Sequence, residues 1–118
     1  MWVLCDREPI KNWSAGSATL VGDAAHPMLQ YLAQGACMAL DDAVVLAEAV
    51  KQADGDLETA LQAYQEARYL RTGKCEILAR MYGEFYHATS VARELRNAML
   101  SGRSQEASYE GLAWHYDF

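Results

Sequence analysis

A Gly-Asp pair follows a short apolar stretch near the start of the chain and precedes an alanine-rich segment that begins with glycine. Residues 19–21 are β-favouring or apolar and run directly into Gly22, whose backbone can adopt angles closed to other residues. Asp23 then places a carboxylate at the carboxyl end of the predicted strand, which is where ligands bind in open α/β sheets. The pattern predicts a short buried strand, a sharp turn and a loop that leads into a helix.

This first helix is predicted to run from Gln34 to about Ala53. The amides of Gly35, Ala36 and Cys37 open it, so they have no partner within the helix and carry partial positive charge. Such amides bind anions or polarised carbonyl oxygens. A carboxylate and a helix N-terminus that face one crevice predict a nucleotide or cofactor site.

The same segment resembles a known flavoprotein motif. Residues 22–27 read Gly-Asp-Ala-Ala-His-Pro, and residues 34–43 read Gln-Gly-Ala-Cys-Met-Ala-Leu-Asp-Asp-Ala. Together they resemble the second FAD-binding motif of the single-component flavin-dependent aromatic hydroxylases, and residues 27–35 are most similar to the salicylate hydroxylase and 3-hydroxybenzoate 6-hydroxylase group. The similarity extends to residues 6–10, Trp13, Tyr64, Arg68 and Arg71.

The resemblance implies FAD as the cofactor, NAD(P)H as the co-substrate, and oxygen and a hydroxybenzoate or salicylate-like acid as substrates. It implies that Gly22 and Asp23 form the turn at the cofactor, with Asp23 accepting hydrogen bonds from the ribityl hydroxyls. The amides of Gly35, Ala36 and Cys37 would approach the pyrimidine edge of the flavin. There they can stabilise the negative charge that grows at N1 and O2 on reduction.

Pro27 and Gln30 are the candidate catalytic residues. By resemblance, Pro27 lines the space where oxygen and the aromatic substrate meet, and it also counts among the cofactor-binding positions. Gln30 is a candidate to hydrogen-bond a substrate carboxylate or hydroxyl. His26 suggests a general base or a metal ligand, but one His and one Asp cannot fill a tetrahedral metal site. Since the family's phenol-activating base usually comes from the substrate domain, we interpret His26 as structural and predict no metal.

The length indicates a fragment. At 118 residues the chain is one domain or part of one, and no Gly-x-Gly-x-x-Gly turn for the ADP half of FAD is present. We therefore expect the C-terminal part of such a hydroxylase, or a truncated gene product, with little or no FAD binding and no turnover by itself. Residues 1–118 would form a partial FAD-binding domain: a returning segment and loop (1–17), the strand, Gly-Asp motif and first helix (18–53), and C-terminal helices and tail (54–118).

The isolated chain is predicted to be mainly α, with about three helices and one or two short N-terminal strands. In the parent family it would be the C-terminal part of an α/β FAD-binding domain. The second helix is capped by Asp56 and runs to about Phe85, and the third covers residues 89–100. We expect a strand at residues 1–5, a polar loop at 102–108 and an aromatic tail at 112–116 that docks onto a partner surface.

Side chains around the motif have simpler interpretations. Trp13 is predicted to cover the apolar interior as a half-buried packing residue. We expect Arg68 and Arg71 to form ion pairs with acidic residues of the same domain. Asp41 and Asp42 complement the dipole of the first helix, and because adjacent helix positions diverge by about 100°, we expect no shared acid–base site between them.

Composition excludes several classes of function. The net charge of −6 argues against nucleic acid and anionic membranes as partners, since no basic patch could outweigh it. No apolar run approaches the ~18 residues that a membrane helix needs. Cys5, Cys37 and Cys75 are odd in number and widely spaced, which favours reduced thiols and a cytoplasmic location.

Two other functions are open from the sequence. Faces that would meet the rest of a hydroxylase are apolar, so the chain could be a non-catalytic helical module that forms homo-oligomers or binds other proteins. Alternatively, it completes a second polypeptide that carries the missing N-terminal half.

Overall fold

The structure, a computed structural model, describes residues 4–110, and the chain is mainly helical. A short antiparallel hairpin, β1 (Ser14–Ala15) and β2 (Ala18–Thr19), comes first and pairs Ser14 with Thr19 and Ala15 with Ala18. Two 3-10 turns follow, at Gly22–Ala24 and Gln30–Leu32. The helices are α1 (Gly35–Gln52), α2 (Leu57–Tyr86), α3 (Ser90–Ser101) and α4 (Gln105–Glu110). The predicted fold class is confirmed.

The described residues divide into two compact units, of which the first ends at Gly83 and the second begins at Glu84. The Gly-Asp turn and everything packed around it belong to the first unit. Within residues 4–110, no helix combines the length and the apolar character that a membrane span requires.

The predicted loop at residues 102–108 is wrong, because α4 begins inside it. Ser104 starts this helix: its hydroxyl accepts a hydrogen bond from the Ala107 amide, and its carbonyl accepts one from the Ser108 amide. Glu106 adds a favourable negative charge in the first turn. A serine followed by good helix formers is therefore a start signal even in a segment of polar composition.

The strand predictions are also wrong in position. Pairing ends at Thr19, and Leu20 and Val21 are each 37% exposed, so residues 19–21 do not form a buried strand. Leu4 and Cys5 lie in no strand, and residues 1–3 of that prediction lie outside the described residues, as does the aromatic tail at 112–116. The described sheet has only two strands, β1 and β2, so Leu20 and Val21 have no further strand to pair with.

A small core fastens the hairpin to α2. Trp13 and Tyr64 are buried in it with Ala25, and the rings of Trp13 and Tyr64 lie 5.8 Å apart between centroids. Gln65 on α2 accepts hydrogen bonds from the backbone amides of Trp13 (2.7 Å) and Ser14 (3.0 Å). The packing role predicted for Trp13 is confirmed, but the residue is buried (5% exposed) and not half-buried as predicted. The segment that precedes the Gly-Asp turn is held against α2.

The start of α2 is defined by the predicted cap. Asp54 and Gly55 both adopt positive φ angles, 46° and 97°, and so reverse the chain after α1. The Asp56 carboxylate then accepts hydrogen bonds from the amide (3.2 Å) and the hydroxyl (2.6 Å) of Thr59. The cap predicted at Asp56 is confirmed.

We predict that Asp56→Ala lowers the thermal unfolding midpoint by a few degrees, because an alanine cannot pair the first amides of α2. Gln62→Ala, which changes an exposed residue of the same helix, is the matched control and should leave the midpoint nearly unchanged. Circular dichroism against temperature measures both. Equal midpoints for the two variants would show that the cap contributes nothing.

Candidate functional site

The Gly-Asp turn is held from behind by the carboxylate of Asp42, a fully buried residue of α1. One oxygen, Oδ2, accepts hydrogen bonds from the Gly22 amide (3.0 Å) and from Nε2 of His26 (2.6 Å). The other, Oδ1, accepts one from Nε of Arg68 on α2 (2.8 Å). A buried charge is tolerated only when it is paired and hydrogen-bonded, and these three donors meet that condition.

The electrostatics of Asp42 follow from these contacts. Burial by itself raises the pKa of a carboxyl group, because it disfavours the charged form. The hydrogen bonds from His26, Arg68 and the Gly22 amide outweigh burial and lower the pKa of Asp42 from 3.8 to about 2. The group is therefore ionised at neutral pH, and the turn is anchored to a permanent negative charge.

Arg68 connects this anchor to the rest of α1. It is 3% exposed, and its Nη2 donates to the carbonyl of Met38 at 3.1 Å. Its Nη1 lies 3.7 Å from Oδ2 of Asp41, and Nε of Arg71 lies 3.8 Å from the same oxygen. The predicted ion pairs of Arg68 and Arg71 are confirmed, and Arg68 pairs with both Asp41 and Asp42.

The turn is further fixed by its own backbone and by Arg7. Gly22 has a φ of 59°, as its predicted role requires, and its carbonyl accepts hydrogen bonds from the amides of Ala25 (2.8 Å) and His26 (2.9 Å). Nη2 of Arg7 donates to the carbonyls of Ala24 (2.8 Å) and Ala25 (2.6 Å). The turn is consequently held on one side by α1 and on the other by the N-terminal segment.

His26 lies wholly inside the protein. Besides its hydrogen bond to Asp42, its ring packs at a centroid distance of 5.8 Å from Trp13. It is thus part of the support of the turn, which agrees with the interpretation of His26 as structural. Within the described part of the chain, no group of three or more His, Cys, Asp or Glu residues could hold a metal ion.

The predicted cofactor residues occupy the outer side of this support. Asp23 is exposed in the Gly22–Ala24 turn, which packs against α1. Ala36 and Cys37 are exposed in the first turn of α1, Gly35 is half-buried, and no side chain of residues 4–110 caps the helix. An added Cβ on Gly22 would lie 3.4 Å from Cβ of Ala39, so the turn approaches α1 closely.

The two candidate catalytic residues lie between the turn and the helix. Pro27 is half-buried directly after His26, and Gln30 is exposed at the start of the Gln30–Leu32 turn. On the same stretch, the side chain of Met28 would meet a Cβ on Gly35 at 3.8 Å, an ordinary contact distance. The loop therefore connects the two halves of the predicted site and runs close to the start of α1.

Sequence reasoning missed Glu76, a carboxyl group of α2 that is 1% exposed. Burial raises its pKa from 4.5 to about 7, against the opposing charges of His26, Arg7 and Arg80. A signal was present: Arg68, Thr72, Glu76 and Arg80 recur every four residues and so share one face of α2. A polar stripe at this spacing on a helix that must pack inward indicates a buried polar network.

Comparison with known proteins finds sequence similarity to hydroxylases and monooxygenases, although no protein-family model matches the chain. The chain is 47% identical over 115 residues to the "3-hydroxybenzoate 6-hydroxylase" of Klebsiella oxytoca, covering 98% of this chain and 29% of the relative. It is 48% identical to "3-hydroxybenzoate 6-hydroxylase 2" of Aquipseudomonas alcaligenes, covering 98% and 36%. It is 41% identical to the "FAD-dependent monooxygenase cfoG" of Aspergillus candidus, covering 99% and 27%.

The chain spans about a third of the length of these relatives, and it matches the C-terminal part of larger hydroxylases. The resemblance inferred from the Gly-Asp motif is confirmed at this level. FAD appears in the name of the fungal relative, which supports FAD as the cofactor of the parent family.

We predict that Asp42→Asn lowers the free energy of unfolding by about 3 kcal/mol or more, since it leaves Arg68 buried without its charge partner. Asp41→Asn is the matched control one residue away. Its carboxylate is 25% exposed and lies at least 3.7 Å from both arginines, so we expect a loss below about 1 kcal/mol. Urea titration measures both, and similar losses would contradict a special role of Asp42.

The two shifted carboxyl groups predict opposite responses to pH. The pKa of Asp42 is depressed, so its contribution to stability is present above pH 3.8 and is lost as the pH falls towards 2. The pKa of Glu76 is raised, so its contribution is present below pH 4.5 and is lost as the pH rises through about 7. Urea titrations across pH should show stability falling on both sides of about pH 4–5.

The Glu76→Gln substitution tests the loss of stability towards high pH, because an amide cannot ionise. The loss of about 2–3 kcal/mol in the free energy of unfolding between pH 4.5 and pH 8 in the parent chain should largely disappear in this variant, whereas the loss towards low pH should remain. If the variant loses as much stability towards high pH as the parent chain, another group causes the loss.

Proposed function

Because the chain is homologous to the C-terminal part of the flavin-dependent aromatic hydroxylases, we propose that it forms the flavin-binding C-terminal segment of such an enzyme. The parent enzyme would use FAD and NAD(P)H to hydroxylate a hydroxybenzoate or salicylate-type acid. One observation carries the proposal: the exposed carboxylate of Asp23 lies on a turn whose backbone is fixed from behind by Asp42.

The donors and acceptors of this region fit the flavin half of FAD. Among residues 4–110 no hydrogen bond engages the Asp23 carboxylate, so it can accept from the ribityl hydroxyls. The first amides of α1, at Gly35, Ala36 and Cys37, are donors at the positive end of a helix of 18 residues. They suit the carbonyl O2 and the N1 edge of the isoalloxazine ring.

When bound, the flavin supplies the redox chemistry, while the protein binds and orients it. Asp23 and Gly22 would hold the ribityl chain, and the amides of α1 would favour the reduced, negatively charged ring. Pro27 would line the space for oxygen and the aromatic substrate, and Gln30 would hydrogen-bond the carboxylate or hydroxyl of the aromatic acid. His26 stays behind the turn and takes no part in proton transfer to the substrate.

We also propose that the chain has three segments and that it depends on the remaining part of the enzyme. Residues 1–17 return to the FAD domain, 18–53 carry the flavin site, and 54–118 supply C-terminal helices and tail. Because the chain spans about a third of its relatives, the chain alone is proposed to be inactive and to need the remaining part, supplied by the same or a second polypeptide. Free thiols at Cys37 and Cys75 agree with a reducing, cytoplasmic setting.

A second candidate function is favoured by α3, the amphipathic helix of the second unit. Val91, Leu95 and Met99 recur along one face of α3 and are 66%, 61% and 68% exposed. An exposed apolar stripe of this kind promotes association. The alternative is therefore a non-catalytic module that forms homo-oligomers. Sedimentation equilibrium tests it: a monomer at high concentration, unaffected by Leu95→Glu, would exclude it.

The flavin-binding proposal is tested in a chimera in which this chain replaces the matching C-terminal part of the Klebsiella oxytoca hydroxylase. We predict that the chimera binds FAD and that Asp23→Asn weakens its binding at least tenfold, because an amide accepts less strongly than a carboxylate and can repel hydroxyl donors. Glu48→Gln, an exposed position of α1, is the control. Flavin absorbance and fluorescence titrations give the affinities.

Two results would contradict the proposal. If the chimera folds and binds FAD with the same affinity before and after the Asp23→Asn substitution, Asp23 does not belong to the site. Stoichiometric FAD binding by the 118-residue chain alone would show that the fragment needs no complementing part.

A further inference from the structure

Three buried polar atoms behind the Gly-Asp turn have no hydrogen-bond partner among the described residues: Nε of Arg7, Nδ1 of His26 and Oε1 of Glu76. His26 is fully buried and Glu76 is 1% exposed. Buried polar groups are almost always hydrogen-bonded, because an unpaired one loses its hydrogen bonds to water without replacement. Three such atoms in one small domain call for a common partner.

The three side chains meet in one region. Arg7 donates to the carbonyls of Ala24 and Ala25, and the second of these belongs to the peptide bond that leads into His26. Arg80 lies one helical turn after Glu76 on the same face of α2, and it pairs with Asp6 and Glu8 and donates to the carbonyl of Arg7. Arg80 thereby holds the N-terminal segment next to Glu76.

Electrostatic coupling agrees with this placement. Among the charged groups that change the pKa of Glu76, His26 and Arg7 have the largest effects, ahead of Arg80 and Asp6. Yet no hydrogen bond joins any two of the three atoms, since each lacks a partner. A bridging group between them would satisfy all three.

Their chemistry selects the bridge. Nε2 of His26 donates to the ionised carboxylate of Asp42, so Nδ1 is the ring nitrogen left for the bridge. The unpaired set is then a donor, the N–H of Arg7, an acceptor, Oε1 of Glu76, and Nδ1 of His26, which accepts when the ring is neutral and donates when it is protonated. A water molecule accepts from Arg7, donates to Glu76 and pairs with Nδ1 in either role, and three hydrogen bonds are typical of an internal water.

We propose that Arg7, His26 and Glu76 form a binding site for one internal water molecule. The bridge joins the N-terminal segment, the Gly-Asp turn and α2 at one point, on the side of His26 that faces away from Asp42. It also adapts to the protonation of Glu76, because a water can reverse one of its hydrogen bonds without movement of the side chains.

The proposal is tested by counting long-lived internal waters in the full chain with ¹⁷O magnetic relaxation dispersion. Glu76→Met removes one acceptor and fills its volume with an apolar group, so we expect one fewer long-lived water per molecule. Glu48→Gln, exposed on α1, is the control and should keep the count. An equal count in the Glu76→Met variant and the parent chain would overturn the proposal.

A measurement on the unmodified chain covers the case in which the Glu76→Met variant does not fold. Long-range ¹H–¹⁵N NMR of the His26 ring should show a hydrogen on Nε2, and nuclear Overhauser spectra should show a water cross-peak to the carbon-bound ring hydrogen between the two nitrogens. A hydrogen on Nδ1 that is bonded directly to the Glu76 carboxylate, with no water cross-peak, would replace the bridge with an ion pair and refute it.

Discussion

The buried carboxylate of Asp42 is the contact on which the first unit depends. It accepts hydrogen bonds from the turn at Gly22, from His26 and from Arg68, and so joins three segments that are distant in sequence. Each donor alone would leave a charge in the interior that is only partly compensated. Together they keep the pKa of Asp42 near 2 and make the anchor insensitive to pH in the neutral range.

In this arrangement, the residues that support the turn are different from those proposed to bind the flavin. The inward side of the turn uses buried groups, namely Asp42, His26 and the carbonyls bound by Arg7. The outward side leaves the carboxylate of Asp23 and the opening amides of α1 exposed. The proposed flavin site would benefit from a turn that is fixed in this way, since preorganised groups cost little to order on binding.

Local patterns predicted much of this from sequence. The left-handed Gly22, the Asp56 cap and the three long helices follow from short-range chemistry, and all were found. What failed depended on tertiary contacts. Asp42 looked like a residue that complements the helix dipole, because its partners lie 16 to 26 positions away, and Glu76 looked like an ordinary helical acid. The strand at residues 19–21 failed because strand formation needs a neighbour, which the described hairpin does not supply.

The most direct measurement is a ¹³C NMR titration of the side-chain carboxyl carbon of Asp42 in the folded chain. Three hydrogen bonds to a buried carboxylate predict a pKa near 2, well below the 3.8 of an unperturbed aspartate. A pKa at or above 3.8 would mean that burial outweighs the donors. The turn would then not be anchored by a permanent charge, and the account given for its rigidity would be wrong.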